Sequence, residues 1–337
     1  MLRRKSAQKP TLTEVAKLAG VSEITVSRVV RGKGPIAEET RRRVRTAIET
    51  LGYVPNRAAG TLASSASLFI GVILPSMSNI VFPEVLRGIY AGLAGSPYQP
   101  LLGVTDYDLD NEQEILSSLL SWQPMAIITT GFDHSTETRR LLVESGIRVA
   151  ELMDIDAEPI DLAVGLSHRQ AGYDSARHLI ARGYRRFGYV GHDWDADRRA
   201  RSRYEGLCAA LKDAGLPLAA ELRFDGPSST LAGRETLNRL LRQTPDIDVA
   251  VFSNDDLAVG GYFHCLDAGI PVKDGLALFG FNGLDIGQAI PQRLSTVRSN
   301  RFLIGQTAAE AILSARTRPT GRQVIDTGYE IIQGETA

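Results

Sequence analysis

The stretch Thr11–Arg31, TLTEVAKLAGVSEITVSRVVR, constrains this chain more than any other, because it encodes two short helices joined by one tight turn. Thr11 and Glu14 have the spacing of a capping box, in which a hydroxyl accepts from a first-turn amide while the carboxylate reaches back to the cap residue's own N–H. A helix therefore starts at Leu12, and Leu12, Val15, Ala16 and Ala19 recur at helical spacing to form one apolar face. Gly20 ends it in the left-handed conformation that helix C-termini favour, Val21 plugs the gap, and Ser22 caps a second helix over Glu23–Arg31. The pattern turns Val26, Val29 and Val30 inward and leaves Ser22, Ile24, Thr25 and Arg28 outward. Hydroxyls that hold phosphates, beside an arginine able to donate twice to guanine, suit a DNA groove. Amphipathic helix pairs with an intervening glycine also occur in proteins that bind no nucleic acid, so spacing alone leaves both readings open.

Charge separates them. Residues 1–66 hold thirteen Lys/Arg and five Asp/Glu, a net +8, whereas the rest of the 337-residue chain holds 25 and 34, a net −9. A basic head on an acidic body implies that the head alone meets a polyanion. Cys208 and Cys265 lie in separate helical stretches without metal-ligand spacing, as buried reduced thiols would, which fits a cytoplasmic protein. The basic start MLRRKSAQKP reads as a short arm with no apolar run behind it, so neither a signal peptide nor a membrane span is expected.

A third helix is predicted from about Glu38 to Leu51, with Val44, Ile48 and Leu51 as its apolar stripe and Gly52 as its stop. Pro55 blocks its continuation, and Asn56 can cap a further short helix, RAAGTLA, which at about two turns with Gly60 inside is marginal in isolation. From Leu68 the pattern becomes short apolar runs alternating with longer amphipathic segments. Strands are predicted over residues 68–75, 100–105, 125–130, 148–152 and 162–166, then 186–191, 248–253 and 276–281, with strand-like segments at 295–299 and 329–333. Helices are predicted over residues 82–94, 112–122, 137–146, 170–182, 203–214, 231–243, 257–268 and 302–316. Nearly continuous apolar strands alternating with helices argue for doubly wound parallel sheets, and two series of similar length argue for two similar lobes.

The segments LTEVAKLAGVSEITVSRVVRG and YVPNRAAGTL resemble the LacI/GalR family of bacterial transcription repressors, and the similarity continues through nearly the whole chain. It implies an α/β protein with three parts: a helix-turn-helix three-helix headpiece over 1–52, a hinge helix over 53–66, and a two-lobed periplasmic-binding-protein-like body over 67–337. It implies DNA contacts from Leu12, Ser22, Ile24, Thr25, Ser27 and Arg28, and from Asn56, Ala59 and Leu62 in the hinge, where paired hinge helices lie in the minor groove and the leucine wedges between bases. It also implies a homodimer on palindromic operator DNA and three crossings between lobes, with 294–320 returning to the first lobe and the last segment to the second. Ala37 stands where most members carry a capping Ser or Thr, so the third helix starts with a weaker cap.

Ligands of open α/β sheets bind outside the carboxyl ends of the strands. There lie Ser76 after the first strand, Asp154 after the fourth, Asn254 and Asp255 after VAVFS, and Asn282 after LALFGF, with Arg203 expected to open the helix after RFGYVG. Each has an ordinary alternative: Asn254 or Asp255 as a helix cap, Arg203 as a solvated surface residue, Phe82 as core. The resemblance implies that this set, with Phe82 as the aromatic after the first strand, binds a small effector. Where many relatives carry GFDD or GYDD this chain has GFNG, so Asn282 replaces a carboxylate and the cleft loses a negative charge. That favours an anionic effector, and Arg203 offers a planar fork for a carboxylate or phosphate. Within the family, ILPSMSNIVFPEVLRGI, ELMDIDAEPIDLAVG and GFNGLDIGQAIPQRL are most similar to gluconate-operon regulators, which implies gluconate or a related sugar acid. No catalytic or metal-binding spacing is present, so no enzyme and no cofactor is expected. A regulator responding to a sugar phosphate or a partner protein, and a solute-binding receptor for a transporter, remain as alternatives; the basic head argues against the last.

Overall fold

The computed structural model describes residues 10–32, 34–54, 67–194, 197–315 and 317–337. The chain divides into two compact units, residues 1–66 and 67–337.

In the first unit, α1 (Leu12–Ala19), α2 (Glu23–Arg31) and α3 (Glu38–Leu51) enclose a core of Val15, Ala16, Ala19, Val26, Val44 and Ala47. The capping box is complete: the Thr11 hydroxyl accepts from the Glu14 amide at 3.3 Å, and the Thr11 amide donates to the Glu14 carboxylate at 2.8 Å. Gly20 ends α1 at φ +66°, where a side chain would be strained, and the Ser22 hydroxyl caps α2 by accepting from the Thr25 amide. Ala37 provides no side-chain cap for α3. Val30 departs from expectation: it is exposed, because no element among the unit's described residues covers that flank of α2, and Val26 and Val29 alone face the core. The hinge residues Asn56, Ala59 and Leu62 lie outside the described residues.

The second unit holds two six-stranded sheets. The first lobe carries β1 (Phe69–Leu74), β2 (Gln99–Val104), β3 (Ala126–Thr130), β4 (Arg148–Leu152), β5 (Leu162–Gly165) and β11 (Gln323–Asp326), in the order β11-β5-β4-β3-β1-β2. Its helices are α4 (Val81–Gly92), α5 (Leu109–Ser121), α6 (Thr136–Glu144) and α12 (Arg301–Ser314). The second lobe carries β6 (Phe187–His192), β7 (Leu218–Phe224), β8 (Val249–Phe252), β9 (Ala277–Asn282), β10 (Ser295–Ser299) and β12 (Tyr329–Ile332), in the order β12-β10-β9-β8-β6-β7. Its helices are α7 (His168–Ala181), α8 (Arg198–Asp213), α9 (Thr230–Gln243), α10 (Asp255–Ala268) and the short α11 (Asp285–Ala289). All pairings between these strands are parallel except β10 with β12.

Three expectations are corrected. The edge strands β7 and β11 went unpredicted because they are half-exposed or exposed and lack a continuous apolar run. The return to the first lobe starts at Asn300 rather than residue 294, since β10 pairs with β9, and it lasts through Asp326 rather than residue 320, since β11 pairs with β5. Arg203 does not open its helix: α8 begins at Arg198 and Arg203 stands in its second turn.

The helix facing that arginine is held unusually close. A Cβ on Gly172 of α7 would lie 1.9 Å from the Arg203 carbonyl oxygen, and one on Gly206 of α8 would lie 2.0 Å from the Arg169 carbonyl. Gly88 of α4 and Gly305 of α12 make the same kind of crossing in the first lobe, where a Cβ would come within 2.0 Å of backbone. Both lobes therefore set their helices by backbone contact rather than by side-chain interdigitation.

Candidate functional site

On the first unit, α2 presents Ile24, 67 % exposed, and an exposed Arg28, with Thr25 and Ser27 half-buried between them. Ser22 is exposed but engaged, its hydroxyl sharing a hydrogen bond with that of Thr25 at 3.0 Å. Leu12 packs partly against the core. The second helix of the pair thus shows one apolar and one cationic tip on a rigid support, a surface able to enter a major groove.

In the second unit the strand ends converge on α8. Its N-cap, Asp197, accepts from the Ala200 amide at 3.1 Å and gathers cationic neighbours: Arg199 Nε at 3.6 Å, Arg203 Nη2 at 3.9 Å and His192 Nε2 at 3.7 Å. Burial alone would raise this carboxyl, but Arg199, Arg203 and His192 hold it well below the ordinary carboxylate range. Arg199 and Arg203, four residues apart, lie on one face of the helix. Arg203 is buried: Nη1 donates to His168 Nδ1 at 3.0 Å, Nη2 donates to the Ser253 carbonyl at 2.9 Å, and its guanidinium carbon lies 4.2 Å from the Phe281 ring centroid. An arginine only donates and a carbonyl only accepts, so His168 is fixed as the tautomer whose Nε2–H donates to the Met153 carbonyl, at 2.7 Å. Burial and the neighbouring arginines hold that imidazole well below its ordinary value, in its neutral form.

Arg199 reaches toward the first lobe. Its guanidinium carbon is 5.5 Å from the Phe82 ring, and it interacts electrostatically with Tyr107, Asp154 and Asp133. Burial would lower its pKa, but these anionic neighbours, Asp197 foremost, raise it above the usual arginine value. Asp154 is pushed up to about 6, chiefly by burial. Arg198 closes the rim with an ion pair to Asp133 at 3.1 Å. The resulting cleft is lined by Thr105, Tyr107, Thr130, Asp133, Arg198 and Arg199.

The expected residues are distributed unevenly around this cleft. Phe82 is fully buried in the core, reaching the site only through Arg199 above its ring. The Ser76 hydroxyl accepts from the amides of Ser78 and Asn79, both at 3.2 Å, and shapes the turn after β1. Asn254 caps α10 through its carbonyl oxygen, leaving its amide group free to donate. Asn282, at φ +118°, gives its carbonyl to Arg301, which also pairs with Glu84 at 2.7 Å. Asp255 is not placed to meet a ligand: one oxygen accepts from the Leu284 amide and the other from the Thr296 hydroxyl, both at 2.6 Å, and it is wholly buried. It staples β8 to β9 and β10. Sequence reasoning missed Arg198, Arg199, Asp197, His168, Tyr107 and Asp133; the four-residue spacing of Arg199 and Arg203 was the one available signal.

Among the described residues no group of three or more His, Cys, Asp or Glu could hold a metal ion, and no helix is long and apolar enough to cross a membrane.

A helix-turn-helix head followed by a two-lobed, cleft-bearing α/β body defines the class of ligand-responsive DNA-binding regulators. The comparisons place the chain within it. Residues 11–56 match the model of bacterial regulatory proteins of the lacI family, and residues 67–332 match that of periplasmic binding proteins and sugar-binding domains of the LacI family. The chain belongs to the LacI family, one of regulators rather than enzymes. It is 38 % identical to the HTH-type transcriptional regulator GntR of Pseudomonas aeruginosa, covering 97 % of this chain and 96 % of that protein. It is 36 % identical to GntR of Escherichia coli strain K12, covering 97 % and 98 %. Among solved structures, a LacI-family transcriptional regulator from Silicibacter pomeroyi matches with a TM-score of 0.91 at 40 % identity, over 97 % of this chain and 99 % of that one.

Proposed function

We propose that this chain is a homodimeric, cytoplasmic transcriptional repressor of sugar-acid utilisation genes, which binds a palindromic operator and is released from it by a six-carbon sugar acid such as gluconate. The dimer follows from the small size of the head: one three-helix unit reaches few phosphates, and two related by symmetry match an inverted repeat. Ile24 and Arg28 read bases, and Ser22, Thr25 and Ser27 support the backbone contacts. Leu12 seats the pair, and the hinge residues Asn56, Ala59 and Leu62 enter the minor groove.

The observation that carries the effector reading is the row of Arg199 and Arg203 on one face of α8, set against Tyr107, Asp133 and Asp154 of the other lobe. Buried cations facing hydroxyl and carboxylate groups suit a ligand with one anionic end and several hydroxyls. Asp154, Ser76, Asn254 and Asn282 each keep hydrogen-bonding capacity for such hydroxyls. The similarity of this chain's cleft segments to gluconate-operon regulators supports gluconate in particular.

Calorimetric titration of the full chain with gluconate, 2-ketogluconate, idonate, 6-phosphogluconate and glucose tests this. A sugar acid binds and glucose, lacking the carboxylate, does not; equal binding of gluconate and glucose removes the argument from the arginines.

A further inference from the structure

We propose that Glu112, His134 and Glu151 form a buried charged brace behind the first lobe's sheet ends, in which the imidazolium of His134 holds the turn of residues 131–135 and loss of its proton releases that turn. The brace is built from first-lobe elements alone and does not depend on which small molecule the protein takes.

His134 lies in the turn between β3 and α6, and its side chain is 1 % exposed. Its Nδ1 is 2.9 Å from Glu112 Oε1 in the first turn of α5, and its Nε2 is 3.5 Å from Glu151 Oε1 in β4. An ionised carboxylate only accepts, so both ring nitrogens face acceptors and both carry protons. The geometry itself therefore calls for the imidazolium. The two carboxylates are fixed from behind: Glu112 accepts from the Thr129 hydroxyl at 3.2 Å, and Glu151 accepts from the Ile160 amide at 2.5 Å. Burial opposes the charge on the ring, but the carboxylates outweigh it and carry the pKa to about 9.

The turn has a fixed point at each end. The Gly131 amide, in a left-handed residue at φ +74°, donates to the Leu152 carbonyl at 2.8 Å, and the Ser135 hydroxyl caps α6 by accepting from the Thr138 amide. His134 supplies the charged contacts between those points. The charged groups that meet it are Glu112 from α5 and Glu151 from β4; Asp133, beside it in the turn, is directed instead at Arg198 of the other lobe. A neutral imidazole keeps one N–H, so one of the two carboxylates would face a lone pair in a site closed to water. Glu112 and Glu151 sit on regular elements with their own bonds, and the short turn is the part free to yield. Thr129, Thr130, Gly131 and Asp133 all border the interlobe opening, so release of the turn reshapes its first-lobe wall.

The test uses the full chain with para-fluorophenylalanine in place of Phe132 in the turn, and a control sample carrying it in place of Phe69 in β1 of the same lobe. Fluorine NMR follows each from about pH 6 to about 10.5, while carbon-13-labelled imidazole reports the titration of His134. The fluorine signal of the turn should move to the position of a mobile ring along the same curve as the His134 imidazole, with its midpoint near 9, while the β1 label stays fixed. Glu151→Gln keeps an oxygen for the Ile160 amide but removes a charge. It should weaken proton binding by His134 about tenfold or more and shift both curves together. His134→Gln should show the released signal at every pH. A turn signal that stays put while His134 titrates, or two curves that separate in Glu151→Gln, overturns the proposal. So does movement of both fluorine labels together, which would make the cluster a support of the whole lobe rather than of the turn. Should His134→Gln fail to fold, by circular dichroism, the parent and Glu151→Gln curves still decide.

Discussion

Arg28 stands clear of the head on the exposed side of α2, with its α-carbon carried by a helix anchored through Val26. Replacing it with alanine should cost about 1–3 kcal/mol at one operator position and little elsewhere, read by binding to a set of single-base operator variants. A uniform loss across all variants would make it a phosphate contact instead. A second residue-scale prediction concerns His134, buried between Glu112, 2.9 Å from Nδ1, and Glu151, 3.5 Å from Nε2. Burial alone would lower its pKa, but the two carboxylates carry it from 6.5 to about 9. The folded body therefore holds this proton more tightly than the unfolded chain. The stability it contributes, on the order of 3 kcal/mol, is complete below about pH 6.5 and lost as pH rises through about 9. Thermal melts should show the midpoint falling across that window, and His134→Gln should flatten the fall; a parent with a flat profile contradicts the pairing. What the sequence disclosed at this scale depended on position along the strand. Arg203 was singled out by its place after the strand RFGYVG together with the family resemblance, yet Arg199 was hidden in the run RRARSR, because helix phase against a sheet cannot be read from four arginines in six residues. Asn254 and Asp255 look interchangeable in sequence, and only the fold shows one capping a helix and the other stapling three strands.

At the scale of elements, the α7–α8 pair holds the site because two glycines let the backbones touch. Gly172→Ala forces a methyl against the Arg203 carbonyl, so the helices must part. The expected cost is about 1–3 kcal/mol of stability, together with weaker effector binding as Arg203 and His168 separate. Denaturant melts and titration of the variant check this; an alanine tolerated in both measurements would show that the helices can slide without cost. The central strands were legible because burial on both faces writes a continuous apolar run, as in FIGVIL and VAVF. The edge strands β7 and β11 carry no such signature: LAAELRF alternates and QVID is mostly exposed, so each is fixed by its neighbour's open edge rather than by its own composition. The helix pair of the head was legible almost to the residue, since its caps are local bonds between neighbours in sequence.

The whole molecule joins a DNA-reading head to a body whose lobes exchange chain three times, at residues 166–167, 300 and 327–328. Such crossings make the lobes dependent on one another, and the ion pair of Arg198 with Asp133 spans the cleft between them. A ligand that bridges this cleft changes the relative stability of lobe arrangements only by the difference in its affinity for them. By linkage, an effector that weakens operator binding tenfold must bind the operator complex tenfold more weakly, a coupling of about 1.4 kcal/mol. The direct test is the dissociation constant of the full chain for a duplex selected by it from random sequence, measured by fluorescence anisotropy at fixed salt, with and without saturating gluconate. The selected duplex should be an inverted repeat, and gluconate should raise the dissociation constant at least tenfold while glucose leaves it unchanged. An operator affinity unmoved by gluconate that demonstrably occupies the cleft would contradict the account.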